Sequence, residues 1–147
     1  MPALAILCGC VNHARGRAKM IDVLVVDSVP GHIEAFNKHL KGLTVAYVPS
    51  AAHAIYPLMS RAPQLLFIDY DLGTKENGNG VLLMAWVGEH AHAFTNTNVI
   101  VYSSDFWAAE RMISILKRNN LTWYEHTDVW SNPRMMRALA STVEKTR

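Results

Sequence analysis

Long apolar runs, blocks of like charge and paired cysteines are all missing from this chain, and each absence removes a class of function. The nearest approach to a hydrophobic leader, Pro2 to Cys10, has no basic residue ahead of it. It also falls far short of the roughly 20 apolar residues a bilayer requires. It therefore makes a poor signal peptide and no membrane span. Only two cysteines occur, Cys8 and Cys10, and they stand too close for easy disulfide pairing. No second pair exists to complete a zinc site, so Cys8, Cys10 and His13 form a weak metal candidate, and a reducing cytoplasm is the expected compartment. The 14 lysines and arginines are scattered, and with a net charge of +2 they give no basic footprint for nucleic acid. No repeat or low-complexity segment interrupts the chain.

What remains is one domain's worth of core. At 147 residues and 50% hydrophobic, the chain can bury a sizeable interior, and further division would leave fragments too small to fold. Residues 1–19 read as a disordered or strand-like extension, or as an upstream start, ahead of a domain spanning 20–147.

From Met20 onward the punctuation is regular. Ile21 to Val26 is an aliphatic run ending at Asp27, and Pro30 opens a helix with Ile33, Phe36 and Leu40 on one face, stopped by Gly42. Leu43 to Val48 is a second strand, followed by a helix capped by Ser50 and bent or ended near Pro57. Gln64 to Ile68 is a third strand, and the turn through Gly73, Asn77, Gly78, Asn79 and Gly80 feeds a helix with Val81, Met84, Ala85 and Trp86 inward. Asn98 to Tyr102 is a fourth strand, after which Asp105 caps a helix bearing Ala108, Met112 and Ile115. Leu121 to Tyr124 is a fifth, and Ser131 with Pro133 starts a last helix burying Met135, Met136, Leu139 and Val143. Five strands alternating with five helices predict a doubly wound α/β domain.

The strand Leu65-Leu66-Phe67-Ile68 is apolar on both faces and ends in Asp69-Tyr70-Asp71. Such a strand belongs in the middle of a parallel sheet, and ligands bind beyond the carboxyl ends of those strands. Asp27, Asp69, Asp71, Ser103 and Ser104 all fall at that edge. Carboxylates brought together repel unless a cation is bound or one is protonated. Hard oxygen donors suit Mg2+, so Asp27, Asp69 and Asp71 are the candidate metal ligands. The hydroxyls of Ser103 and Ser104 could donate to a phosphoryl oxygen, although both serines sit where a helix cap is also expected.

These segments resemble a known family. Val23-Leu24-Val25-Val26-Asp27-Ser28-Val29-Pro30, Leu66 to Gly73 and Val99-Ile100-Val101-Tyr102-Ser103-Ser104 resemble the first, third and fourth strands of response-regulator receiver domains. That likeness implies a flavodoxin-like (βα)5 fold with strand order 2-1-3-4-5, and Asp69 as phosphoacceptor. Asp69-x-Asp71-Leu72-Gly73, the helix opening from Gly80 to Trp86, and Tyr102-Ser103-Ser104-Asp105 with Ala109 and Met112 are closer to the cyclic-phosphate-processing receiver group. The departures are specific. Ser28 stands where receivers have a second acid, and His126 falls near the receiver lysine, where it becomes a candidate phosphate partner. Tyr70 and Tyr102 replace two histidines of the cyclic-phosphate group.

Three functions follow. The first is a stand-alone domain binding a phosphate-bearing small molecule or RNA end with Mg2+ over Asp27, Asp69 and Asp71. If it is an enzyme, Asp69 and Asp71 are its catalytic residues in a metal-dependent, cyclic-phosphodiesterase-like hydrolysis. The second is a phosphorelay acceptor modified at Asp69. The third is a degenerate receiver that binds protein through Phe106 and Trp107, on the face made by helix four, strand five and helix five, toward which Trp123, Tyr124 and Trp130 also cluster.

Overall fold

The computed structural model describes residues 20–72 and 79–143. The proposed extension, the Cys8, Cys10 and His13 candidate, and the turn residues Gly73, Asn77 and Gly78 lie outside the described residues. The strands are β1 (Val23–Val26), β2 (Val45–Val48), β3 (Leu65–Asp69), β4 (Asn98–Tyr102) and β5 (Thr122–Glu125). Between and after them run helices α1 (Pro30–His39), α2 (Ala51–Ser60), α3 (Gly80–Glu89), α4 (Phe106–Arg118) and α5 (Pro133–Ser141). All strand pairs are parallel, in the order β2-β1-β3-β4-β5. The expected flavodoxin-like architecture is the one found. Among the described residues no helix is long and apolar enough to cross a membrane.

Side chains alternate across a strand, so each strand feeds two cores. Leu24, Val26, Leu66, Ile68, Val99 and Val101 pack beneath α2, α3 and α4 with Ala54, Leu58, Leu83, Val87, Met112 and Leu116. Val23, Val25, Leu65, Phe67, Ile100 and Tyr102 face the other way, onto Phe36 of α1, Leu40 just after it, and Met136 and Leu139 of α5. Burying one such large side chain is worth about 1.5–3 kcal/mol, which makes β1, β3 and β4 the rigid part of the molecule. The polar ends of these three strands are therefore fixed in place.

Several local expectations need correction. In α3 the buried positions are Leu83, Met84 and Val87, while Ala85 is exposed and Val81 and Trp86 are half-buried. In α4 the buried side includes Ile113 and Leu116, with Ile115 only partly covered. The start of α5 is capped by Asn132, whose side chain accepts from the Met135 N–H; Ser131 belongs to a short 3-10 turn, Val129–Ser131. The five aromatic residues expected on one face are divided, because Trp123 packs against the α2–α4 core and Trp130 against the α1/α5 core.

Candidate functional site

The register of the central strands builds the site. Val26 pairs with Ile68, so the next residue of each strand, Asp27 and Asp69, lies at the carboxyl edge beside the other. Asp69 pairs in turn with Tyr102. By strand alternation all three point toward the side covered by α1 and α5. Both carboxylates are buried, Asp27 with 1% and Asp69 with 7% of its surface exposed.

Asp27 is held by three donors. Its Oδ1 accepts from the Val29 N–H at 2.8 Å, and its Oδ2 accepts from the Tyr102 hydroxyl at 2.6 Å. His32 Nδ1 lies 2.8 Å from the same Oδ2. The chain turns through Ser28 and Val29, and Pro30 at the first position of α1 supplies a preset φ. That turn carries the third residue of α1, His32, back over the carboxylate. The imidazole is also stacked on Trp130, with ring centroids 4.2 Å apart and planes 19° from parallel. Asp27, His32 and Asp69 each offer a ligand atom within 4.8 Å of the others.

Electrostatics single out Asp69. Burial is the main cause that pushes its carboxyl from the usual range up to about 7, and the neighbouring Asp27 charge adds to it. The Asp71 N–H, which donates to Asp69 Oδ1 at 3.0 Å, and the His32 ring act in the opposite direction. Tyr102 is pushed well above its ordinary value by burial, then by the charge of Asp27 and the hydrogen bond to it, and by Asp69. Its hydroxyl therefore stays a donor across the physiological range.

The other candidates separate from this group. Asp71 is exposed and is not among the three residues whose ligand atoms converge. Ser103 Oγ accepts from the Asp105 N–H at 2.9 Å, and Asp105 in turn caps α4 through the Trp107 and Ala108 N–H groups. Ser104 is exposed beside it. His126 faces the loop before α5, with Nε2 3.2 Å from Asn132 Nδ2 and Nδ1 3.3 Å from Asp128 Oδ1. Asn132 Oδ1 accepts from the Met135 N–H, so its Nδ2 is the group turned to Nε2, and the Asp128 N–H donates to Nδ1 at 3.3 Å. Phe106 and Trp107 are exposed at 61% and 72%, with an edge-to-face contact between them.

The two tyrosines go to opposite faces. Tyr102 touches Asp27, whereas Tyr70 packs against the α2–α4 core, and its hydroxyl accepts from Arg111 Nη2 at 3.3 Å. Behind Tyr70, the first turn of α3 presses on the end of β3. A Cβ added to Gly80 would meet Met112 Sδ at 2.6 Å, Tyr70 Cα at 3.0 Å and the Asp69 carbonyl at 3.1 Å.

The residue that sequence reasoning missed is His32. The apolar spacing of α1 drew attention to Ile33, Phe36 and Leu40, and no motif spacing links an aspartate to a histidine five residues on across a turn. A histidine in the first turn of the helix that follows an acidic strand end was the signal available.

A model of the cyclic-phosphate processing receiver domain matches residues 33–118. The chain belongs to that family. The matched span includes Asp69 and Tyr102 and begins one residue after His32. The fold is similar to the CheY-like receiver domain of Methylobacillus flagellatus (15% identity, TM-score 0.60, 86% of this chain and 100% of that one). It is also similar to CheY4 of Vibrio cholerae (14%, TM-score 0.64, 85% and 99%). The Mn2+-bound response regulator Rcp1 gives a third likeness (12%, TM-score 0.59, 85% and 96%). No curated protein matches the chain.

The donor set of Asp27, His32 and Asp69 is compatible with a divalent cation. A carboxylate has about four lone-pair sites, and the three donors on Asp27 leave one open. Among the described residues no lysine or arginine forms an ion pair with either carboxylate.

Proposed function

We propose that this receiver domain holds a divalent cation between Asp27 and Asp69 and, with it, a phosphate-bearing ligand such as a cyclic or terminal phosphate. The observation that carries this reading is the pair of buried carboxylates at the edge of the sheet, with Asp69 pushed up to about 7 by burial and by its neighbour. Two charges so placed are unfavourable unless a proton or a cation joins them. A bound cation such as Mg2+ would neutralise the pair and polarise a phosphoryl oxygen. Tyr102 and the Val29 N–H orient Asp27 for this, and Tyr102, which keeps its proton, acts as a positioning donor rather than as a base. The Rcp1 neighbour described in its Mn2+-bound form is compatible with the reading. The cysteine-poor composition favours a cytoplasmic setting.

Phosphoacceptor chemistry at Asp69 has less support, since His126 is turned to Asp128 and Asn132. The exposed Phe106 and Trp107 favour, as a second reading, a protein partner on the neighbouring face. The primary test is calorimetric titration with Mg2+, then with 2′,3′-cyclic nucleotides in its presence, alongside assays of their turnover. Ligand binding that requires the cation and disappears in Asp69→Asn is expected. Binding that is indifferent to both would remove the proposal.

A further inference from the structure

We infer that His32 is a nitrogen ligand of the same cation, and that it turns the site from one suited to Mg2+ into one that selects a first-row transition ion. The inference rests on the cation reading above but concerns a residue outside the matched span of the family. Three observations carry it. His32 is the third member of the only cluster of three such side chains among the described residues, with its ligand atom within 4.8 Å of those of Asp27 and Asp69. Its ring is held from two sides, by Asp27 Oδ2 at 2.8 Å and by the face of Trp130 at 4.2 Å, so little conformational freedom is left to lose on ligation. And Asp71 is exposed and outside this cluster, so the acids in it supply only two of its ligand atoms.

The chemistry then sets the preference. Mg2+ takes oxygen ligands and gives up water reluctantly, whereas an imidazole nitrogen with carboxylates suits the transition ions, with affinity rising from Mn2+ toward Cu2+. In the metal-free protein His32 Nδ1 shares Asp27 Oδ2 with the Tyr102 hydroxyl. When the ring serves the cation, the Nδ1 proton passes to Nε2 or to solvent, the lone pair that it occupied on Oδ2 is released, and Tyr102 and the Val29 N–H still orient Asp27.

The test is a metal-selectivity measurement that needs no substrate. Co2+ alone is titrated into the full chain while tryptophan fluorescence is followed, the contribution of Trp130 being isolated by comparison with Trp130→Phe, and Mg2+ affinity is taken from competition against Co2+. Co2+ should bind at least about 100-fold more tightly than Mg2+, and His32→Gln, which keeps a polar side chain in the helix, should cut that ratio roughly tenfold or more. The visible spectrum of the Co2+-loaded parent chain supplies a second readout that needs no variant, since nitrogen ligation should distinguish it from an all-oxygen site. An unchanged ratio in folded His32→Gln, or an all-oxygen spectrum, would overturn the inference and leave the cation site standing. Failure of both ions to bind the parent chain would remove the inference together with the cation reading.

Discussion

Asp22 and Asp27 flank the four residues of β1, one at each end, and both are buried, with 4% and 1% of their surface exposed. Asp22 is spent on architecture. Its Oδ2 accepts from the Thr44 N–H at 2.9 Å, and its carbonyl accepts from the N–H groups of Gln64 and Leu65 at 2.9 and 3.2 Å, tying the starts of β1, β2 and β3 together. Asp27 faces a second buried carboxylate across the sheet edge, and its donors position it without removing the repulsion. At the Asp22 end of the strand a cavity of about 580 Å³ is lined by Asp22, Arg61, Gln64 and Thr97, among others. The two buried polar groups among its lining, Asp22 and Thr97, bond within the scaffold, Thr97 donating to the Pro63 carbonyl at 2.7 Å. One end of the strand has its buried polar groups bonded into the scaffold; the other sets two buried carboxylates side by side.

The largest effect that can break this contrast is expected from Asp27→Ala. It strands the buried Tyr102 hydroxyl and removes a charge-assisted acceptor, so denaturant unfolding should show a loss of about 3 kcal/mol together with the loss of cation binding. Next comes Asp69→Asn, with the opposite sign. In the fold the Asp69 carboxyl is raised from 3.8 to about 7, so folding favours its protonated form. The contribution of Asp69 to the parent's stability should be greatest below about pH 4 and be lost as pH rises through about 7, whereas the asparagine variant avoids this loss. Thermal melts without metal should find the variant equal to the parent in acid and more stable by about 2 kcal/mol near pH 8. A flat difference between the two across that range would refute the account of the pocket. Asp22→Ala should cost about 1–2 kcal/mol through the lost bond from Thr44, with cation titrations unchanged. Smallest of all, Phe106→Ser and Trp107→Ser should alter stability by less than about 0.5 kcal/mol, since both rings already lie in water. A larger loss there would extend the rigid part of the edge beyond the pocket.

The frame was legible because its signals are local. Aliphatic runs marked the strands, and Ser50 and Asp105 cap their helices as their positions suggested, Ser50 accepting from the His53 N–H at 3.1 Å. α2 continues past Pro57 to Ser60, because a proline so near a helix end removes only one late hydrogen bond. The pocket was legible only in part. Asp27 and Asp69 could be placed as strand ends, but Asp71 lies just beyond β3, where strand alternation no longer dictates which way a side chain points. The bond from Tyr102 to Asp27 spans 75 positions and follows from two strand registers that no spacing rule encodes. His32 arrives through the shape of one turn.

Gly80 gives the pocket a second kind of constraint. It carries no side chain, donates its N–H to the Tyr70 carbonyl at 3.1 Å, and leaves no room between α3 and the backbone that bears Asp69. The thioether of Met112 can swing aside; the main chain of Tyr70 and Asp69 has less room to give. Substitution at this position of the chain is thus restricted from behind the two carboxylates. A residue with nothing to contribute to binding would still be among the least exchangeable, and a survey of tolerated substitutions would mark it as if it were chemical.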